Sequence, residues 1–442
     1  MSGVIPLHPW FGIVLLLAAI ALLIAGLRFY QVRFQPDPEW VRKLFHMSCG
    51  TFALIAPWLF GQDWPVLVVL GLVAIVLLLF RVTRLKDGPG KILSDVSRYS
   101  FGEMYFVMSI AILLLFTEPE ERVLYSISLI ILTLADAIAA LVGVRYGQVR
   151  YVVPEGVKSI EGSFAFFLVA FLSTHIILFL FFPMDGTANL MISITVSLLA
   201  TLVESVSWGG KDNLVVPIVS FMMLKFLIAK DNAHLLLALS LALLLFILLE
   251  ACRRTKVVCP QAVLGISLIS YVSWAIGGAD FLLVLLLHSL SSPIILKSSN
   301  ELFSSKKIGL FIATYTMSFV WLFLYQQTQS EVFFFAFLIG LLVQSVCFSL
   351  TEIFQSSQKK YLLIYLLLNI LKNWGLTLAA LVLRSGLSSE VVIHSIWAAV
   401  SMLMATGIYY LFVFKRSKAE VLIQPICATV GSVVGILLFN EQ

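Results

Sequence analysis

The sequence predicts an all-α, polytopic integral membrane protein with about 14–16 transmembrane helices. Three observations carry that expectation. Hydrophobic residues make up 60% of the chain and charged ones 12%, with a mean hydropathy of +1.02. Apolar runs of about 14–22 residues recur from end to end between short polar connectors, a length matched to the hydrocarbon core of a bilayer. The runs also lack the period-two alternation of a barrel strand. That leaves helices, which pair every backbone group inside their own segment.

Taken in order, the first run, 11–27, has no Lys or Arg before it and no small-x-small cleavage site after it, so it reads as an uncleaved span. The next spans are 47–60, 65–80, 104–116, 123–144, 163–182, 190–207, 214–229 and 234–250. A further series covers 261–276, 281–296, 308–325, 332–350, 361–383, 391–414 and 421–439. Some are short enough that a neighbouring pair is re-entrant, which leaves the count open by about two.

Basic residues fix the expected orientation. Of the 29 Lys and Arg, 24 fall in alternate connectors, from Arg28, Arg33, Arg42 and Lys43 to Lys415, Arg416 and Lys418. The intervening connectors keep only Arg122, Lys230 and Arg384, and include the acidic Glu118-Pro119-Glu120-Glu121. By the positive-inside bias the N-terminus lies outside and the basic loops are cytoplasmic. The net charge of +5 is therefore a topology signal, and no nucleic-acid partner is expected. Cys49, Cys252, Cys259, Cys347 and Cys427 form no CxxC and no metal-site spacing.

Chemistry-bearing residues collect on the basic side. Asp136 lies about 13 Å below the cytoplasmic end of its span at 1.5 Å per residue. With Ala140, Gly143 and Gly147 it occupies one helical face, an acid at the base of a strip without side chains. An intramembrane acid is by default a functional candidate, although such a strip also serves plain helix packing. The following loop places Gly156 and Gly162 around Lys158, Ser159 and Glu161, with Gly162-Ser163 opening the next helix. Backbone N–H groups at a helix start beside a lysine suit phosphate; equally, Glu161 can complement the helix dipole and Lys158 can be a topology charge.

Glu204 sits one turn inside the seventh span, ahead of Gly209-Gly210-Lys211-Asp212-Asn213. Carboxylate and amide oxygens of this kind are hard ligands of the sort Mg²⁺ takes, while a glycine turn is the bland alternative. Arg42, Lys43 and His46 stand at the start of the second span, either as a cationic phosphate clamp or as snorkelling charges. No GxxxxGK[ST], HExxH or GxSxG pattern occurs.

The order of these motifs resembles the CTP-dependent polyprenol kinase family, which includes dolichol, phytol and farnesol kinases and the fungal-type diacylglycerol kinase. The matching stretches are Arg42-Lys43-Leu44-Phe45-His46; Asp136-Ala137-Ile138-Ala139 with Gly143 and Gly147; Lys158-Ser159-Ile160-Glu161-Gly162-Ser163; Glu204; and Asp212-Asn213-Leu214-Val215-Val216-Pro217. The resemblance covers about residues 1–230. It implies transfer of a nucleotide γ-phosphate, with CTP as donor and Mg²⁺ as cofactor, to the hydroxyl of a lipid alcohol in the bilayer.

On that reading Asp136, Lys158 and Glu161 are the candidate catalytic residues, and Asp136, Glu204 and Asp212 the candidate metal ligands. Arg42, Lys43, His46, Gly143, Gly147, Gly156, Ser159, Gly162, Ser163, Lys211 and Asn213 are candidates for nucleotide and phosphate. Phosphoryl transfer relies mostly on positioning and charge neutralisation, which this residue set supplies. Two rivals stay open: a CDP-lipid-forming cytidylyltransferase, whose terminal GHGG…DR element is not found here, and a transporter or scaffold with broken helices.

A boundary is expected at about 231/232. Residues 1–231 carry all the motifs, whereas 232–442 repeat none of them and offer only Lys372-Asn373 and Gly431-x-x-x-Gly435 as unusual features. The alcohol, the oligomeric state and the role of this second part are not specified by the sequence.

Overall fold

The computed structural model describes residues 7–82, 101–153, 156–207, 209–255, 260–290, 318, 320–355, 362–415 and 420–440. The chain separates into two compact units, Met1–Leu243 and Leu244–Gln442. In the first unit, the helices are α1 (Pro9–Phe34), α2 (Pro38–Phe60), α3 (Trp64–Val82), α4 (Gly102–Phe116), α5 (Pro119–Tyr146), α6 (Ile160–Phe181), α7 (Gly186–Val206) and α8 (Asp212–Ile228). Helix α9 (Asn232–Thr255) follows. The basic connector from Arg84 to Arg98, and Lys256, Lys297, Lys306, Lys307, Lys359, Lys360, Arg416 and Lys418, lie outside the described residues, as does most of the expected span 308–325.

Six helices among the described residues are long and apolar enough to cross a membrane, including α1, α5, α6 and most of α7, and seven shorter helices are apolar. The protein is thus a multi-pass, all-α membrane protein. Its outward faces are greasy, with Leu22 of α1 exposed at 73% and Phe179 of α6 at 72%, which suits lipid rather than water. Helices α2 and α8 fall outside both sets. They carry several polar residues of the site: Arg42, Lys43 and His46 on α2, Asp212 and Asn213 on α8.

Three local features depart from the expected pattern. First, α2 begins at Pro38, not near residue 47, so Lys43 and His46 sit within a helix and not ahead of one. Second, the loop after α5 is a β-hairpin: β1 (Arg150–Val153) pairs antiparallel with β2 (Gly156–Ser159), with Tyr151 opposite Lys158. Val152, Val153 and Val157 supply its β-branched residues. Third, α5 is not uniform. Residues Ile131–Ala135 form a π-helical turn, and α-geometry resumes at Asp136.

Helix α5 is the buried axis of the first unit, with Tyr125, Ile127, Leu129, Ile131 and Ala135 all fully enclosed. The Tyr125 hydroxyl donates to the Ala53 carbonyl at 2.8 Å and ties α5 to α2. Nearby, a Cβ on Gly50 would overlap the methyl of Thr133, so the two helices approach closely there because residue 50 is glycine. At the other end of this bundle, Arg122 reaches Asp63 at 3.2 Å and Lys225 reaches Glu121 at 2.8 Å.

In the second unit, α10 (Pro260–Gly277), α11 (Ala279–Leu290), α12 (Glu331–Gln355), α13 (Leu362–Ser385), α14 (Ser389–Lys415) and α15 (Glu420–Asn440) are described. Helix α12 is enclosed along Phe334–Val343. Gly431 and Gly435 of α15 are its packing partners, since Cβ atoms there would run into Val343 and Ile339. Arg384 gathers Asp280 at 2.5 Å, Glu331 at 2.8 Å and the Tyr325 hydroxyl at 2.9 Å over the face of Phe334.

Candidate functional site

Because successive helices alternate direction, the start of α2, the end of α5, the hairpin, the end of α7 and the start of α8 all fall at one end of the first unit. There the scattered motifs of the sequence meet in two ion pairs. Lys43 Nζ donates to Asp136 Oδ2 at 2.6 Å, linking α2 to α5. Lys158 Nζ donates to Glu204 Oε1 at 2.6 Å and also to the Glu204 carbonyl, linking β2 to the last turn of α7.

Both pairs are largely enclosed. Side-chain exposures are 9% and 16% for Lys43 and Asp136, and 23% and 10% for Lys158 and Glu204. They are also close to each other: Glu204 lies within Coulombic reach of Lys158, Asp212 and Asp136. Two cations and three carboxylates thus share one poorly screened region, where each charge is felt more strongly than in water. Burial alone would favour neutral Lys158, yet Glu204 and Asp212 hold its ammonium above the ordinary lysine range. It is a fixed cation at physiological pH, not a proton acceptor.

The hairpin and its junction with α6 set Lys158 in place. Ser159 caps α6, its hydroxyl accepting from the Gly162 N–H at 3.1 Å. The Ile160 N–H donates to the Val149 carbonyl at 2.9 Å, continuing the hairpin contact to the helix start. Tyr151, facing the same side of the hairpin as Lys158, places its hydroxyl 2.8 Å from that of Ser163. Glu161 Oε1 accepts from the Val149 N–H at 3.1 Å, so this acid braces the hairpin base.

The glycine strip of α5 packs against this junction. A Cβ on Gly147 would lie 2.7 Å from Ser159 Cβ, one on Gly143 would lie 3.1 Å from Ser159 Oγ, and one on Gly162 would lie 2.9 Å from the Ala139 carbonyl oxygen. The space the glycines leave is filled by α6 and its cap, and not held open for a ligand. Asn213, on α8, donates through Nδ2 to the Gly102 carbonyl at 2.9 Å and fixes α8 to α4. Gly156 closes the hairpin opposite Val153. Arg42 and Lys211 lie on the same end of the bundle.

His46 is one turn further along α2 than Lys43. Its ring packs on Phe106 of α4 with centroids 4.6 Å apart, and its Nε2 is buried without a hydrogen-bond partner among the described residues.

A divalent cation finds a partial fit. No three His, Cys, Asp or Glu side chains gather into a metal cage among the described residues. Mg²⁺ seldom uses such a cage; it keeps waters and takes one or two carboxylates together with substrate phosphates. Asp212, Glu204 and Asp136, sharing one field with two lysines, fit that second mode and would hold the ion only with its phosphate ligand.

The sequence pointed to most of these residues but not to their pairing. It did not reveal that Lys43 reaches Asp136, that the loop is a hairpin joining Tyr151 to Ser163, or that Gly50 and Thr133 set the α2–α5 spacing. The Tyr-Val-Val and Gly-Val pattern on either side of Pro154-Glu155 was an available strand signal. The π turn leaves no comparable trace.

Over 184 residues the chain is 34% identical to a protein of Synechocystis sp. described as phytol kinase, a match covering 41% of this chain and 76% of that one. No protein-family model matches the chain, and no solved structure does so.

Proposed function

The chain belongs to the polyprenol and phytol kinase family of membrane lipid kinases, and from that premise we propose that it transfers the γ-phosphate of CTP to the hydroxyl of a long-chain isoprenoid alcohol such as phytol. The observation that carries this reading is the meeting of Lys43–Asp136 with Lys158–Glu204 and Asp212 at one end of the bundle. That arrangement provides the positioning and charge neutralisation on which phosphoryl transfer depends.

In the proposed mechanism Lys158 neutralises phosphate oxygens, assisted by Lys43, Arg42 and Lys211. Asp212 and Glu204 would hold Mg²⁺, which when bound offsets the charge of the nucleotide phosphates. Asp136, the deepest carboxylate, takes the proton of the alcohol. The alcohol oxygen bonds to the γ-phosphorus, the bond from that phosphorus to the β–γ bridging oxygen breaks, and a nucleoside diphosphate leaves.

Ligand binding requires partner exchange, because each lysine now occupies a carboxylate that the mechanism needs. The two ion pairs are therefore read as stand-ins: the lysines take phosphate oxygens and the acids take the metal and the proton. We place this end of the bundle in the cytoplasm, where the nucleotide is, in line with the 24 of 29 basic residues in the connectors of that side.

The test is to incubate membranes containing the full chain with CTP labelled at the γ or the α position and with phytol, farnesol, geranylgeraniol, dolichol or diacylglycerol. Label should enter lipid from the γ position alone, and Asp136→Asn and Lys158→Ala should each abolish it while still inserting. Label entering only from the α position would replace the kinase by a cytidylyltransferase. The same panel run with ATP, GTP and UTP decides the donor.

A further inference from the structure

We infer that Tyr151 is a positioning residue for Lys158: its hydroxyl, joined to that of Ser163, braces the hairpin against α6 and fixes where the lysine ammonium is presented. This deepens the kinase reading above and rests on it for everything that concerns the nucleotide. Tyr151 belongs to none of the motif stretches of the sequence; it stands between the glycine strip and Lys158-Ser159. A lysine needs such help, because its compact charge rides on a flexible four-carbon stem with no fixed fork of donors.

Tyr151 and Lys158 are direct cross-strand partners, so their side chains leave the hairpin on the same face as nearest neighbours. Both are half-buried, whereas Val157, the next residue along β2, is exposed, so this pair marks the inner face. From there the two side chains reach different helices. Tyr151 meets Ser163 of α6 at 2.8 Å, and Lys158 meets Glu204 of α7 at 2.6 Å. A lone pair of four-residue strands has little rigidity of its own. The bonds of Val149 to Ile160 and Glu161 hold the base of the hairpin. The link from Tyr151 to Ser163 acts at the rung of Lys158 itself.

The brace is built to outlast the exchange of partners that the mechanism requires. Burial, and after it the charge of Glu204, push the Tyr151 hydroxyl above the ordinary tyrosine range, so it stays neutral. When Lys158 leaves Glu204 for a phosphate oxygen, neither hydroxyl of the brace takes part in the exchange. The rung stays in place and only the ammonium moves. On this reading Ser163 serves the brace and not the phosphates.

The test reads Lys158 directly, in the full chain in detergent and without nucleotide, by its rate of acylation with an amine-reactive ester followed by mass spectrometry. Tyr151→Phe and Ser163→Ala should each speed labelling of Lys158 several-fold. Lys225, paired with Glu121 at the opposite end, should keep its rate. Both substitutions remove one and the same hydrogen bond, so the double variant should label no faster than about twice either single one. Unchanged labelling in either single variant, or effects that multiply in the double, would overturn the inference. So would acceleration of Lys158 and Lys225 together, which marks general loosening and not positioning.

Turnover supplies the second arm. Each single variant should raise the KM for the nucleotide about three- to tenfold, the size of one neutral hydrogen bond, with the alcohol KM within about twofold of wild type. A rise in Ser163→Ala that Tyr151→Phe does not share returns Ser163 to the phosphates and sinks the brace. Because the labelling needs no nucleotide, the two readings fail separately. Selective labelling in a protein that phosphorylates no alcohol with any nucleotide ends the kinase reading and spares the brace. Unchanged labelling in an active kinase ends the brace alone.

Discussion

Lys43 and Asp136, 93 positions apart, meet at 2.6 Å between α2 and α5. An ammonium from the second helix thereby holds the carboxylate that lies deep in the fifth. Removing one member of an enclosed pair strands the other, which costs about 3–5 kcal/mol, far more than the pair itself contributes. Lys43→Met is expected to lower the melting temperature in detergent and to cut phosphoryl transfer about 10²–10³-fold. The double variant Lys43→Met/Asp136→Asn should regain the melting temperature but not the activity. Recovery of both together would reduce the pair to a structural role.

Glu204 has a different partner and a different expected signature. Chelation of divalent ions with EDTA should abolish transfer, and Mg²⁺ should restore it. Glu204→Gln keeps a hydrogen-bonding oxygen for Lys158 but loses charge, so the Mg²⁺ concentration for half-maximal rate should rise roughly tenfold, about 1.4 kcal/mol. A Mg²⁺ titration that superimposes on the wild type would exclude Glu204 from the metal site.

The contact between α5 and α6 is sterically tight at Gly162, where a methyl would press on the Ala139 carbonyl at 2.9 Å. Gly162→Ala is expected to cost about 1–3 kcal/mol by overpacking. It should also weaken nucleotide binding, because it shifts the cap that carries Lys158. Gly186→Ala is the control, since nothing lies within 4 Å of a Cβ there. Thermal unfolding and nucleotide KM of the two variants should separate clearly.

Gly50 makes a similar demand between α2 and α5. Gly50→Ala would collide with the Thr133 methyl and push α2 away from α5, loosening Lys43 from Asp136. Activity should fall at least tenfold, and Gly50→Ala/Thr133→Ser, which removes the obstructing methyl, should recover part of it. Full activity of the single variant would show that the close approach is not needed for the site.

Much of this was legible in the sequence because bilayer physics is demanding. Span limits read from hydropathy lie within a few residues of α3, α4, α5, α7 and α8, since lipid forces apolar side chains to continue for a set length. Lys158, Glu204 and Asp212 were legible for the complementary reason: a charge in such a chain is expensive and therefore conspicuous. What was not legible depends on rotation about helix axes and on contacts far apart in sequence. Helix α2 starts ahead of its apolar run because Arg42, Lys43 and His46 interrupt the hydropathy signal, although charge does not stop a helix. Gly143 and Gly147 suggest a ligand strip in the sequence, with a packing face as the alternative, and the position of Ser159 decides for packing.

The π turn at Ile131–Ala135 has a consequence for how the first unit tolerates change in length. A wide turn holds one residue more than an α-turn would in its place, so everything beyond it is offset by about 100° from ideal winding. Asp136 is the first residue beyond it. Shortening the chain by a single position within 131–135 would turn the wide turn into a regular one and leave the carboxylate in line with Lys43, whereas adding a position there would swing it around the axis by about 100°. Tolerance of length is thus one-sided here: an in-frame loss of one apolar codon should spare the enzyme, whereas a gain of one should silence it while leaving its hydropathy unchanged.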